Sequence, residues 1–390
     1  MTATDWDIVI VGGGLGGLSL AVELAQPEYA HLRVLVLEKR TQYARDRTWS
    51  YWASGVHRYS ALERRRWHAW RVGFNGQHAQ QNIAPDSALA YCTLDADAFY
   101  AFAQSQIAAS PNVRLQLGVS VIEILEEPVH TLRLENGSTL TSLWVMDGRP
   151  LGLPKAEGLC QHFMGWEIET PIDCFDPNTV ELMDFQPATS GLHFLYVLPY
   201  GPRRALVEST WMSPYAHRPD YGAELQNYLQ SRYGLALNKL SYQQVYQEQG
   251  CLDLQATPRT YPVTDGSYRR VSLGRSAGTL RSSTGFAFLE TIADAQRVAR
   301  CFANVPLVDV RVPPYRRDAL DAWMDKIFCE GMMADWPRAP EHFVAMFKGV
   351  SAPTLVSFLT GQPSMFQRLQ VSLQLPKWHF LRAARRVLTR

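Results

Sequence analysis

Cysteine is scarce and scattered in this sequence: six in 390 residues, at Cys92, Cys160, Cys174, Cys251, Cys301 and Cys329. No Cys-x-x-Cys pair and no Cys/His cluster occurs, so neither a zinc site nor a disulfide framework is indicated, and no metal is expected. Charge of one sign is also lacking. The 38 Lys and Arg against 37 Asp and Glu leave a net +1, which gives no reason to expect a nucleic-acid partner. Long apolar runs are absent: nowhere do about 18 apolar residues follow one another, so no spanning helix is expected. The N-terminus lacks the basic region and short apolar stretch of a signal peptide, and a reduced, cytoplasmic compartment is the default expectation. There is no internal repeat and no low-complexity linker. What is present is the material of a large core, with 46% hydrophobic and 11% aromatic residues in a length that suggests two or three domains.

Residues 7–11 (DIVIV) are short, β-branched and continuous, the pattern of a buried parallel strand. Gly12, Gly13, Gly14, Leu15, Gly16 and Gly17 follow and fit G-x-G-x-x-G. Gly12 allows the tight turn, Gly14 lets the backbone approach a pyrophosphate, and Gly17 lets the next helix pack closely on the sheet. Leu18 to Ala25 reads as that helix, ended by Pro27, and Arg33 to Leu37 reads as a second strand closing with Glu38. The first-turn amides and the helix dipole would hold phosphates, and a carboxylate at Glu38 can accept ribose hydroxyls. The motif alone does not separate FAD from NAD; its place at the extreme N-terminus favours FAD. A later strand–loop–helix carries Gly274 and Gly278, then Thr284 and Gly285, and is expected to place backbone amides on the flavin side of the cofactor.

Residues 95–109 form an expected helix with Asp95 as candidate N-cap. Residues 130–147 alternate about Asn136-Gly137, a hairpin that returns to a buried strand. From 160 to 213 the pattern is sheet-like, with strong strands at His193 to Leu198 and Ala205 to Thr210. Residues 222–233 read as an amphipathic helix, Phe286 to Phe302 as a long helix, and the chain from Ala319 on as mostly helical. The expected organisation is a discontinuous dinucleotide-binding domain (1–155 plus 265–310), an inserted sheet-rich domain (156–264) and a helical C-terminal region (311–390). The fold class is α/β: a Rossmann-type FAD-binding domain of the glutathione-reductase or p-hydroxybenzoate-hydroxylase kind, with an inserted antiparallel-sheet substrate domain.

With these residues in view, the chain resembles the bacterial lycopene cyclases, flavoproteins that close β-rings on carotenoids. Residues 7–24 look like that family's N-terminal fingerprint. Arg47-Thr48-Trp49-Ser50-Tyr51-Trp52 is similar to its "HTWSF" segment, Asp147-Gly148-Arg149 to its "DGRG", and Ser283-Thr284-Gly285-Phe286 to its "STGY". Phe163 to Glu167 matches the stretch that opens its second domain. His193 to Pro199 followed by Ala205 to Thr210 is similar to "FVYSLP" and then "LIEDT", which plant relatives write "FLEET". The resemblance covers nearly the whole chain. Two departures stand out: Ser209 where the family usually has an acid, and Ser282 where proline is usual.

The resemblance implies a reaction with no net redox change. A proton adds to the terminal C1–C2 double bond of lycopene or a related acyclic carotenoid, the C1 cation is attacked by the C5–C6 bond, and loss of the C6 proton leaves a β-ring. Such chemistry needs a carboxyl that is neutral before transfer, and burial achieves this by disfavouring the charged form. Glu208, flanked by Leu206, Val207 and Trp211, matches the first glutamate of "FLEET" and is the candidate acid. Reduced FAD as cation stabiliser and NAD(P)H as its reductant are likewise implied. Arg47 is expected near the cofactor. Trp49, Tyr51, Trp52, Trp166, Phe194 and Tyr196 are candidates for a polyene tunnel, each weighed against a plain core role; His193 reads as structural.

Leu375 to Arg390 holds five Lys/Arg and no acid, with Trp378, Leu381, Ala384 and Leu388 at helical spacing. This suits a helix lying in an anionic membrane surface, or a basic helix packed on the protein. Peripheral membrane association is therefore expected; the oligomeric state is not legible. A flavin monooxygenase or halogenase on an apolar substrate remains the alternative, although Gly274-Arg275 lacks the aspartate such enzymes usually carry there. A non-catalytic carotenoid-binding flavoprotein is the third reading, and it would not require Glu208.

Overall fold

The computed structural model describes residues 4–126, 129–236, 241–261 and 269–389. Trp6–Val11 forms the centre of the first sheet, with five of its six residues buried. It pairs in parallel with Val34–Glu38 on one side and Thr139–Asp147 on the other, and Val113–Leu117 extends the parallel set beyond Val34–Glu38. A strand covered on both faces must be apolar throughout, which is why Ile8, Val9, Ile10 and Val11 run without alternation. The early half of Thr139–Asp147 pairs antiparallel with His130–Leu134, which pairs in turn with Val121–Leu125. Its last residues pair in parallel with Arg270–Ser272. The Asn136-Gly137 hairpin is present, but only Gly137 has positive φ, at 84°. The Gly137 amide donates to the Leu134 carbonyl, a type I turn with a following left-handed glycine rather than a two-residue primed turn.

The first helix begins at Leu15, three residues earlier than the apolar pattern indicates, and runs to Leu24. It packs with the helix Phe288–Arg300 into one core with Leu18, Ile292 and Phe302. The helix Ala96–Ala108 occupies its expected place, yet Asp95 does not cap it. Its carboxylate pairs with Arg45 and Arg64 instead, because two guanidiniums within reach compete better than a backbone amide.

The second sheet has seven strands, in the order Gln243–Asp253, Leu159–Glu169, Arg204–Pro214, Leu192–Gly201, Thr179–Gln186, Ala69–Phe74 and Gln77–Asn82. Its pairings are antiparallel except that Ala69–Phe74 runs parallel to Thr179–Gln186. The last two strands come from within 1–155, so the nucleotide-binding half lends a hairpin to the second sheet. Trp70 and Val72 carry that hairpin into the second core. The expected boundary at 264–265 lies outside the described residues, as do Arg390 and the first three residues. One face of this sheet packs Trp166, Ile168, Val197, Ala205 and Val207 on the helix Tyr221–Tyr233. The other face looks toward the first sheet and the helices Ala319–Ala334, Ala339–Gly349, Ala352–Leu359, Met365–Ser372 and Lys377–Leu388.

Candidate active site

The glycine loop is shaped for a pyrophosphate. Gly12 turns with φ 100°. A Cβ on Gly17 would lie 2.0 Å from the Gly12 carbonyl oxygen, whereas one on Gly14 would meet nothing within 4 Å. The backbone is thus tight where the helix meets the strand and open where a ligand approaches. No side chain caps the helix and no acid lies in its first turn, so its leading amides remain available to an anion. Gly16 abuts Gly274, which brings the two glycine loops together. Arg47 and Arg275 both line the wall, and burial together with Arg47 lowers the pKa of Arg275. A wall with two neighbouring cations fits an anionic dinucleotide.

Glu38 lies beside the loop at the end of its strand. Its Oε2 accepts from the Gly13 amide at 2.6 Å and its Oε1 from Arg40. Burial opposes ionisation here, but Arg40 and the Gly13 amide outweigh it and hold the carboxyl below its ordinary range.

From this cradle one cavity of about 970 Å³ runs to the second sheet. Gly12, Gly14, Leu15, Gly16 and Gly17 line one end with Gly274; Thr284 and Gly285 also line the cavity, and Gly285 abuts Gln161 and Leu252 of the second sheet. Trp52, Phe163, Phe194 and Tyr196 line the other, around Glu208, whereas Trp49 reaches the cavity from the nucleotide-domain core, packed on Phe99, Tyr100 and Phe288. Glu208 lies on Arg204–Pro214, directly opposite Tyr196 on one neighbour and Gly165 on the other. Its side chain is buried, and Thr210 Oγ1 donates to its Oε1 at 2.6 Å. Burial pushes its pKa up to about 8, repulsion from Glu248 adds to the rise, and the Thr210 bond opposes it. Glu248 lines the same cavity and is pushed up to about 7 by burial, against hydrogen bonds from Thr48 and Tyr246.

A third carboxyl on this face behaves in the opposite way. Glu167, two residues from Gly165, receives Arg64, Arg204 and Arg45. Burial would raise it, but the three guanidiniums hold it down at about 2. The sheet therefore carries a charged carboxylate beside two whose pKa values burial has raised toward or above neutrality, a separation of the kind acid–base sites use.

The sequence matches the family described as Lycopene cyclase protein over residues 7–385. The chain belongs to the lycopene cyclase family. A lycopene beta-cyclase of Pantoea ananas is 26% identical over 213 residues, which are 53% of this chain and 52% of that protein. The chain spans about half the length of the curated relatives it matches. The fold is shared more widely. A geranylgeranyl bacteriochlorophyll reductase-like protein of Thermoplasma acidophilum superposes with a TM-score of 0.59 at 14% identity, covering 97% of this chain and 95% of that one. A probable FAD-dependent monooxygenase of Pseudomonas aeruginosa does so with a TM-score of 0.55 at 15% identity, covering 92% and 99%.

This lycopene cyclase family member brings most of the expected site residues to one cavity, but not all. Tyr51 packs in the nucleotide-domain core, stacked on Phe288 with its hydroxyl on Glu63. Trp166 points through the sheet to the helix face, since it alternates with Gly165. Neither lines the cavity as expected. Gly13 is turned away, its amide on Glu38 and its carbonyl accepting from Arg40 and Tyr43. Gly278 closes a short 3-10 turn at φ 96° and abuts Pro258. Ser209 faces the opposite side from Glu208; His193 Nε2 lies 3.0 Å from its hydroxyl, which donates to Glu224 at 2.5 Å. The acid missing at 209 is thus matched by one on the helix Tyr221–Tyr233, far from the cavity face. Glu248, Glu167 and Phe163 were not singled out as site residues, because only strand register joins them to Glu208.

Proposed function

We propose that this chain cyclises the acyclic ends of lycopene, or a related carotenoid, to β-rings by proton addition, with Glu208 as general acid and FAD as cofactor. The observation that carries the reading is a carboxyl held neutral in an aromatic cavity continuous with a dinucleotide cradle. With a pKa near 8, most Glu208 is protonated at pH 7, whereas an ordinary glutamate would be almost wholly ionised. Proton transfer from Glu208 to the terminal double bond creates a cation inside walls of Trp52, Phe194 and Tyr196. Their ring faces favour positive charge. When bound, reduced FAD supplies an electron-rich face that stabilises the cation without net electron transfer, with NAD(P)H keeping it reduced. Gly12 to Gly17 and the facing Gly274 loop would hold its phosphates, and Arg47 and Arg275 its negative charge.

The route for an apolar substrate leads through the C-terminal helices. No described helix is long and apolar enough to cross a membrane. The helix Lys377–Leu388 docks on Ala319–Ala334 through Phe380, stacked on Phe328, and through buried Ala383. It leaves Trp378 and Leu388 outward at 80% and 73% exposure, beside Arg382, Arg385 and Arg386. Phe366, Leu369 and Leu373 extend this apolar surface. A second cavity of about 480 Å³ opens beneath it, lined by Phe328, Phe380 and Leu381, and it shares Phe343, Met346 and Leu359 with the larger one. An amphipathic basic face over an apolar passage fits peripheral attachment to the cytoplasmic side of an anionic membrane.

The test is anaerobic incubation of the FAD-loaded protein with lycopene and a reductant in lipid vesicles, with products resolved by chromatography. Cyclic products without oxygen consumption are expected. A strict requirement for oxygen would instead favour a flavin monooxygenase, whose fold is shared here.

A further inference from the structure

The cavity holds a second buried carboxyl to which the acid step gives no task. Glu248 is 6% exposed and lies on Gln243–Asp253, the edge strand next to Leu159–Glu169. Gly165 pairs with Glu248 on one side and with Glu208 on the other. Directly opposed residues project to the same face, so the two carboxyls flank one point of the sheet. That point has no side chain. A Cβ on Gly165 would lie 3.1 Å from Leu206 Cδ1, 3.4 Å from Glu248 Cγ and 3.5 Å from Glu208 Cβ. With glycine there, only the Leu206 side chain leans between two carboxyls whose backbones are two strand spacings, about 10 Å, apart. Both carboxyls line the cavity that Phe163, Phe194 and Tyr196 also wall.

On the reading that Glu208 is the acid, we propose that Glu248 is the base that takes the proton from the ring carbon, and so sets where the ring double bond forms. Glu208 gives its proton to C2, leaving the charge on C1. The C5–C6 π pair forms the C1–C6 bond and moves the charge to C5. The C6–H pair becomes the new C5–C6 π bond as the Glu248 carboxylate takes the proton. One proton enters and one leaves. Water admitted as product departs carries the proton from Glu248 back to Glu208.

The surroundings separate the two roles. The Tyr246 hydroxyl donates to Glu248 Oε2 at 3.1 Å, and Thr48 adds a second hydrogen bond. Arg45 stacks on the Tyr246 ring at 3.8 Å and favours the charged form of Glu248, whereas Asp95 disfavours it. Glu208 faces Thr210, Tyr196 and Tyr91, none of them cationic. The surroundings of Glu248 therefore favour its charged form more than those of Glu208 do. The two titrate as a coupled pair, so activity should form a narrow bell whose limbs belong to both.

The experiment compares FAD-loaded wild type, E248Q and E208Q in vesicles with lycopene and reductant, reading turnover, ring type and pH profile. E248Q should slow turnover at least tenfold. It should also raise the share of rings whose double bond lies outside C5–C6, because the C5 cation then loses a proton from C4 or the methyl group. The alkaline limb should move to lower pH, since the charge that raises Glu208 is gone. Y246F, which keeps the carboxyl, should move the acidic limb to higher pH. E248Q with parental rate and ring type, in a protein that retains FAD, overturns the assignment. An active E208Q would overturn the proposed acid instead, which keeps the two failures distinct.

Discussion

A carboxyl kept neutral by burial must weaken the fold at alkaline pH, and Glu208 gives that penalty a size. Its folded-state pKa is raised, so its contribution is fully present below the unfolded value and is lost as pH climbs through the folded one. Between 4.5 and about 8, at about 1.4 kcal/mol per pH unit, the loss approaches about 5 kcal/mol. Water entering the cavity reduces it, so a net effect of about 2–5 kcal/mol is expected. Gln is isosteric and never ionises. E208Q should match wild type in stability near pH 4.5 and exceed it increasingly up to pH 9, while losing cyclase activity. Urea unfolding of both proteins at saturating FAD, stepped from pH 4.5 to 9, measures the difference at each pH and cancels the titrating groups not coupled to Glu208. A constant difference across that range, or a variant weaker at pH 9, would refute the claim that this carboxyl is buried and protonated.

The cradle separates two glycines by outcome. G14V should leave apo stability within about 0.5 kcal/mol but abolish bound flavin, read from absorbance, because only open space surrounds that Cβ. G17A should instead destabilise the apo fold, since its methyl meets the Gly12 carbonyl. Arg281 and Asp325 form an ion pair with side chains 2% and 5% exposed, tying the second glycine loop to the helix Ala319–Ala334. R281M should cost about 3–5 kcal/mol in urea unfolding by stranding the aspartate, and R281M/D325L should recover part of that loss. W378E/L381E should lose sedimentation with anionic vesicles yet keep turnover of lycopene presented in detergent.

The nucleotide half was legible because its signals are local. Strand, glycine loop, helix and acid follow one another within about forty residues, each with its own steric reason. Glu208 was legible only through the motif it shares with the family, since a strand glutamate is by itself unremarkable. What escaped depends on pairing between distant strands. Gly165, Glu208 and Glu248 meet because three strands align in one register, and no window of sequence contains that alignment. Trp166 was misplaced by a single residue of parity, which on a strand exchanges the cavity for the helix face. The hairpin 69–82 carries Trp70 and Val72 into a sheet whose other strands begin ninety residues later.

The most direct measurement is a single anaerobic turnover in deuterated water. Protein equilibrated in D2O, holding FAD and reductant, is mixed with lycopene, and the cyclic product is examined by mass spectrometry and NMR. The account requires one deuterium at C2 of the ring formed, delivered from Glu208, and no cyclic product from E208Q. A β-ring formed without label at C2, or a labelled product from E208Q at the parental rate, would contradict it.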